Sequence, residues 1–411
     1  MDTTRIHDTP GEIAVLGGGP IGLATAMLLA RAGFAPTVYD ARPAQAARAD
    51  RRLLALSRGT WQVLEPLLGT RALPIAPIID VHVSSAGEFG TTLLRAADLD
   101  RRSPEPLGAT VFYGDLVTAL AAAAQDEPGV SLRRPLKIER VLQRFDAVDL
   151  QPAAEAALAA SAMATPTDPN PPTTRSVALA IHAEGSPAGQ SGADHRSAPT
   201  AWAITGELSL RGPQTGTAFE RFTREGPLAL LPAPAVSGDS GPRWSLVWCM
   251  DEAQAQRRGA LGDAAFRDEL QRAIGPRIAQ LTAVSPRRVV PLPQQVRDRI
   301  VEHRVVWIGN AAQTLHPVAG QGLNLGLRDA LTLVDCLRSS RNDLPAALAH
   351  YARRRAGDRT VVRTLTRWMP PLFATRALPV AMARTLGLTA MDLLPPLRRE
   401  WARLLMFGVR Q

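Results

Sequence analysis

Apolar residues near the start of the chain fall in blocks. Ile13-Ala14-Val15-Leu16 is a short unbroken apolar run of the kind a fully buried strand needs, and Ala35 to Tyr39 forms a second. Between them, Ile21 to Ala32 is rich in helix formers and stops at Gly33, a residue suited to the left-handed position beyond a helix end. Strand, tight turn, helix and strand make a βαβ unit that opens a parallel sheet. Leu53, Leu56, Trp61, Leu64 and Leu67 recur at helical spacing and predict a helix within 50–70, and Asp115 to Ala124 predicts another. Val81-His82-Val83-Ser84, followed by Gly87 and Gly90, reads as a strand pair and a turn. Strand character returns over 202–250, ending in Trp244-Ser245-Leu246-Val247-Trp248. Asp263 to Ile274 then reads as a helix stopped by Gly275-Pro276, Arg304 to Gly309 as a buried strand, and 325 onward as mostly helix. No internal repeat appears.

Composition interrupts this pattern once. Between about 151 and 200 it shifts to Ala, Pro, Thr, Ser and Gly, and the run from Thr165 to Pro172 cannot hold regular structure, so a mobile loop is expected. A length of 411 residues can bury a large core shared by two domains, and 45% hydrophobic with 21% charged residues is ordinary for a globular protein. The net charge of +9 comes mainly from arginine; it reflects a GC-rich base composition that also enriches alanine, or else suits nucleic acid, an anionic membrane or acidic ligands. The arginines are scattered and no recognition motif appears, so nucleic acid is disfavoured. Cys249 and Cys336 stand alone, which argues against a disulfide framework or a metal site and fits a reducing cytoplasm. Met1 to Gly11 lacks the features of a secretion signal, and no window is apolar enough to span a bilayer, so any membrane contact is peripheral.

Two loops carry candidate chemistry. Gly17-Gly18-Gly19-Pro20-Ile21-Gly22 fits G-x-G-x-x-G directly after a strand and at the start of a helix. Gly17 permits the tight turn, Gly19 lets backbone approach a pyrophosphate, and Gly22 allows close helix–strand packing; the helix N-terminus offers N–H groups to the anion. Asp40 closes the second strand, where a carboxylate accepts hydrogen bonds from a ribose hydroxyl, though neighbouring Arg42 blurs its vote against a 2′-phosphate. This loop alone leaves NAD, NADP and FAD open. The second loop runs from Trp307 through Gly309, Asn310, His316, Pro317, Gly320, Gln321, Gly322, Leu323 and Asn324 to Gly326. A buried strand enters a polar turn, then proline, glycines and a helix, so backbone N–H groups at Gly320 and Gly322 can face an anionic partner such as a reduced flavin.

The stretch from Gly309 to Asp329 resembles the FAD-dependent aromatic hydroxylases, specifically the UbiH/UbiF/VisC branch of ubiquinone biosynthesis and most of all its 2-polyprenyl-6-methoxyphenol hydroxylases. Supporting matches are Asp50 to Ser57, Val81 to Ser84, Phe219 to Thr223, Gly226 to Pro232, and Gly387-Leu388 with Leu393 and Pro395; the likeness covers about four-fifths of the chain and excludes 151–200. It implies an α/β fold: an FAD-binding Rossmann-like domain of the glutathione-reductase/p-hydroxybenzoate-hydroxylase type, an inserted mixed β-sheet substrate domain and a helical C-terminus. The expected division gives the FAD-binding domain 1–75, 111–200 and 291–345, the substrate domain 76–110 and 201–290, and the helical region 346–411.

By this resemblance Gly17, Gly19, Gly22 and Asp40 hold the ADP half, and Arg52 meets the ribityl–pyrophosphate portion. Gly309 also binds the cofactor and Asn310 faces the ribityl chain, while Pro317, Gly320, Gln321, Gly322, Leu323 and Asn324 border the isoalloxazine ring. His316 is the candidate catalytic base, with a structural hydrogen-bonding role as the alternative. The family usually has Asp where Asn310 stands, and its middle Asp-Gly motif survives only as Ala183-Glu184-Gly185-Ser186, which puts the route of electron delivery in question. The implied reaction uses NAD(P)H as transient electron donor, captures O2 as a C4a-hydroperoxyflavin and hydroxylates the ring of a polyprenylated phenol. Alternatives are hydroxylation of another small aromatic, or a non-catalytic flavin-binding subunit of a ubiquinone-biosynthesis complex. His82 and His303 are expected to be structural or exposed, and Glu220 and Arg221 to serve a surface or packing role, with a mutual pair as the alternative. The tail from Leu365 to Gln411 mixes large apolar side chains with arginines. It suits a peripheral site on the inner membrane, contact with other ubiquinone-biosynthesis proteins, or packing on the main body.

Overall fold

The computed structural model describes residues 11–86, 91–99, 104–153, 174–185, 199, 201–212, 215–236, 241–275, 278–293, 295–314, 321–374, 394, 396, 399–400, 402–403 and 406. Strand β1 (Ile13–Leu16) is buried at every position, as its apolar run demands, and lies parallel between β2 (Pro36–Tyr39) and β12 (Leu179–His182). With β8 (Ser131–Arg133), β20 (Val301–Glu302) and β21 (Val305–Trp307) these form a six-stranded sheet in the order β20-β21-β12-β1-β2-β8. Helix α1 (Pro20–Arg31) follows β1, with proline at its first turn and Gly33 in the left-handed conformation just past its end. Helix α4 (Tyr113–Asp126) packs beside α1 in the same hydrophobic core. That core also takes the buried face of α7 (Gln321–Ser339), on which α8 (Leu344–Ala374) lies.

Two small sheets extend this half. One is three-stranded, with β7 (Gly108–Phe112) between β3 (Leu53–Ser57) and β4 (Ala76–Ile78); the other is an antiparallel ribbon of β9 (Ile138–Gln143), β10 (Val148–Pro152) and β11 (Arg175–Val177). The second half is an eight-stranded mixed sheet. Its order is β17 (Gln280–Val284), β13 (Ala201–Arg211), β16 (Arg243–Met250), β15 (Pro227–Pro232), β14 (Thr217–Phe222), β5 (Asp80–Ser85) and β6 (Thr91–Arg95), with β18 (Arg288–Leu292) also paired to β13. Its alternate side chains Phe219, Leu228, Leu230, Leu246 and Trp248 bury one face against α5 (Glu252–Gly259) and α6 (Asp263–Ile274). The 76–110 segment thus divides between two sheets, and β19 (Gln295–Val296) pairs with β22 (Gln313–Thr314) where the chain returns to the first half. Two further helices are α2 (Arg58–Leu68) and the single turn α3 (Ala96–Leu99).

The structure departs from the sequence-based expectations in three places. Leu53–Ser57 is a strand, so the helix expected within 50–70 begins only at Arg58, capped by Ser57. Leu53 and Leu56 fit a helical period, but antiparallel pairing with β7 along the whole of β3 outweighs that weak local preference. Secondly, the 151–200 stretch contains β12, a central strand of the parallel sheet, because a strand of only four residues, Leu179-Ala180-Ile181-His182, disappears in the average of its Ala- and Pro-rich surroundings. Thirdly, the alternative of a Glu220–Arg221 pair is not formed, and Arg221 takes a packing role. Adjacent strand residues point to opposite faces, and Arg221 instead donates to the Ala273 carbonyl at 2.7 Å and to Ser84 Oγ at 3.1 Å. The loop expected at Thr165–Pro172, the turn at Gly87 and Gly90, and most of the tail's apolar residues lie outside the described residues.

Candidate dinucleotide and flavin site

The first loop is built by contacts no other residue type would allow. Gly17 has φ +110°, donates its N–H to the Tyr39 carbonyl at 2.8 Å, and sits where a Cβ would come within 2.9 Å of the Glu184 backbone nitrogen. A Cβ on Gly22 would stand 1.9 Å from the Gly17 carbonyl oxygen, so helix α1 rests directly on the loop backbone. Gly19 differs: a Cβ there would meet only the Tyr113 hydroxyl, at 3.4 Å. Gly19 is also the N-cap of α1, with no side-chain cap and no acidic residue in the first turn. The helix therefore presents unpaired N–H groups into open space, which is what a pyrophosphate requires.

Around this N-terminus stands a charged frame. Asp40 is buried at the end of β2; it accepts from the Arg42 backbone N–H at 3.1 Å and pairs with Arg42 Nε at 3.5 Å. Its carboxylate also lies where a Cβ on Gly18 would be, 2.4 Å from Oδ2, a demand for glycine that the motif alone does not reveal. Arg52 is held by Asp50 (Nη2–Oδ2 2.6 Å) and lies over the Tyr113 ring, 4.6 Å from its centroid. Tyr113, which sequence reasoning missed, thereby joins the Arg52 strand to the Gly19 turn. Glu184 reaches the same place from the end of β12. Burial first, and then the charge of Asp40, raise its carboxyl above the usual range, against Lys137.

The second loop meets the first at a close crossing. Gly309 has φ +59°, and a Cβ on Gly326 of α7 would fall 2.9 Å from Gly309 Cα and 3.0 Å from the Ile21 side chain. The Gly309 N–H donates to Asp329 Oδ2 at 3.0 Å, and Asp329 Oδ1 accepts from Arg355 Nε of α8 at 2.6 Å in a buried ion pair that Asp358 extends. Asn310 is exposed, with its side-chain oxygen near Gly322 at the start of α7, and its carbonyl accepts from Thr314 Oγ1. Leu323 packs half-buried on the core. Asn324 is turned toward β3, accepting from the Ser57 N–H at 2.9 Å and donating to the Ala55 carbonyl at 3.2 Å. Gln321 opens α7; its side chain, with His316, Pro317 and Gly320, lies outside the described residues. Beneath the loop His182 stacks on Trp307 at 5.4 Å, and burial, helped by Arg297, pushes its imidazole down to about 4.

These observations fit FAD. The open, uncapped α1 N-terminus suits the pyrophosphate, with Asp40 beside it for the ribose, and the Gly309–Asn310 turn stands across the Ile21 contact where the flavin end would follow. Among the described residues no cluster of His, Cys, Asp or Glu is arranged to hold a metal, and no helix is long and apolar enough to cross a membrane. Cys249 and Cys336 are both free and buried.

Comparison with known proteins agrees with this reading. A family model described as an FAD binding domain matches residues 208–364, which include the whole second loop. The ubiquinone hydroxylase UbiL of Rhodospirillum rubrum is 28% identical over 97% of this chain and 90% of its own length. The 3-demethoxyubiquinol 3-hydroxylase of Escherichia coli is 26% identical over 95% of this chain and 97% of its own. Among solved structures, PqsL of Pseudomonas aeruginosa superposes with a TM-score of 0.66 at 20% identity, covering 92% of this chain and 99% of that one. The p-nitrophenol 4-monooxygenase PnpA of Pseudomonas putida gives 0.66 at 16% identity, over 97% of this chain and 98% of that one. Joined to the two glycine loops and their crossing, these matches show a chain with the fold of FAD-dependent monooxygenases that is similar, over nearly its whole length, to hydroxylases named for ubiquinone and its precursor.

Proposed function

We propose that this protein hydroxylates the aromatic ring of a polyprenylated phenol in ubiquinone biosynthesis, using FAD, O2 and NAD(P)H. The observation that carries this reading is the chain-long match to two hydroxylases named for ubiquinone and its precursor, on a chain whose two loops converge at Gly309 and Gly326. FAD, when bound, supplies the redox chemistry that activates O2 and delivers one oxygen atom to an electron-rich ring. The protein's own residues bind and orient. The α1 N-terminus and Gly19 receive the pyrophosphate, Asp40 accepts from ribose hydroxyls, and Arg52 adds positive charge on the phosphate side. Asn310 offers a neutral amide to the ribityl chain, and Gly320 and Gly322 bring backbone N–H groups to the ring's anionic edge. His316 is the candidate for moving a proton.

A prenylated substrate resides in lipid, so the reading includes a peripheral position at the inner membrane among other proteins of the same pathway. The test uses purified FAD-loaded protein and a 2-prenylated phenol. The expected result is NAD(P)H oxidation that depends on the phenol and yields a product one oxygen atom heavier. A protein that binds FAD but never oxidises NAD(P)H with any such phenol would instead be a flavin-binding subunit without turnover.

A further inference from the structure

The two faces of the eight-stranded sheet are covered very differently. The face carrying Phe219, Leu228, Leu246 and Trp248 is sealed by α5 and α6. On the opposite face the pairing register sets Val83, Glu220, Ala229, Val247 and Thr205 side by side across five strands, and every one of them is only half-buried. Val83, Ala229 and Val247 belong to no hydrophobic cluster among the described residues. The adjoining row, with Val81, Leu94, Ala218 and Leu231, packs on Ile78 and Leu107 beside the first half of the protein. On the far side the chain leaves the sheet at β18 and pairs almost at once with Gln313–Thr314, the entry to the second loop. Along the strands, the half-buried row therefore lies between these two links to the first half of the protein.

One side chain in that row is out of place. Glu220 Oε1 is buried with no hydrogen-bond partner among the described residues, and burial alone pushes its carboxyl up to about 8. Arg288, the charged residue at the end of the row, stands four strand spacings away, about 19 Å. An apolar wall with a single unpaired carboxyl is costly for a folded protein unless a ligand supplies the partner. A protonated carboxyl has one donor and one acceptor, as does a phenol hydroxyl, so the two satisfy each other without burying charge. We propose that Glu220 determines substrate specificity: it exchanges hydrogen bonds with the hydroxyl of the phenolic ring, while Val83, Ala229 and Val247 receive its apolar part.

This inference rests on the hydroxylase reading above and is tested by binding as well as turnover. The probes are 2-geranylphenol and its methyl ether, titrated into the FAD-loaded protein with the flavin difference spectrum as readout. The wild-type protein should bind the phenol about 10-fold more tightly than the ether, the worth of a buried hydrogen bond whose loss strands a polar group. Glu220→Gln keeps a donor and an acceptor and should keep the preference. Glu220→Met, matched in shape, should bind both probes alike and melt no lower than wild type. If Glu220→Met discriminates as wild type does, or if wild type hydroxylates the phenol without preferring it to the ether, the role of Glu220 is wrong and the hydroxylase reading stands. If wild type neither binds nor oxidises either ring, both fall together.

Discussion

Replacing Asp329 with alanine tests how the second loop is held. Asp329 is one of the most buried charged residues; one carboxylate oxygen takes the Gly309 N–H at 3.0 Å and the other meets Arg355 Nε at 2.6 Å. Among the described residues, removing it leaves a buried guanidinium supported only by Asp358 and a buried N–H with no acceptor. Breaking a buried pair from one side costs about 3–5 kcal/mol, far more than the pair is worth against apolar replacements. We take about 4 kcal/mol, with the lost Gly309 bond included because it belongs to the same residue. At a denaturant slope of about 3 kcal/mol/M, the urea midpoint of the apoprotein should drop by more than about 1 M. The apoprotein is the right object, because bound FAD adds its own stabilisation by mass action. Asp329→Asn keeps an acceptor for Gly309 and should lose less. A cycle with Arg355→Ala should show the double variant costing clearly less than the sum of the singles. FAD affinity should fall as well, since the Gly309 N–H to Asp329 bond ties the second loop to the helix behind it. A midpoint shift below about 0.3 M, with additive single variants, would falsify this account of the loop.

Gly19 and Gly22 should separate binding from folding. Gly19→Ala meets only the Tyr113 hydroxyl, so the apoprotein should melt near wild type while FAD affinity, by titration, falls sharply. Gly22→Ala drives a methyl to 1.9 Å from the Gly17 carbonyl oxygen and should lower apoprotein stability outright, measured by urea unfolding. His182 predicts a pH dependence. Its folded value of about 4 lies below the ordinary 6.5, so the unfolded chain binds the extra proton between those limits. Its contribution is intact above about pH 6.5, is lost progressively down to about pH 4, and amounts to about 3 kcal/mol. His182→Leu should flatten that part of the stability–pH curve; an unchanged slope would remove His182 as its source.

Local rules determined much of this protein from its sequence. β1, the Gly17–Gly22 turn, α1 and Asp40 could be read directly, because strand burial, the left-handed turn and the helix start each depend on a few adjacent residues. The helix Asp263–Ile274, stopped by Gly275, was legible for the same reason. Relations between distant residues were not. Leu53–Ser57 became a strand because β7 lies beside it, and Leu179–His182 entered the sheet centre because β1 and β21 offered open edges. The need for glycine at Gly18 and Gly326 arises from Asp40 and Ile21, which no spacing rule connects to them. Asp329 and Glu220 make the point most clearly. Each is an ordinary carboxylate in the sequence; only the tertiary structure gives one an arginine and a backbone N–H, and leaves the other alone in an apolar wall, because burial and partners are set by the whole fold.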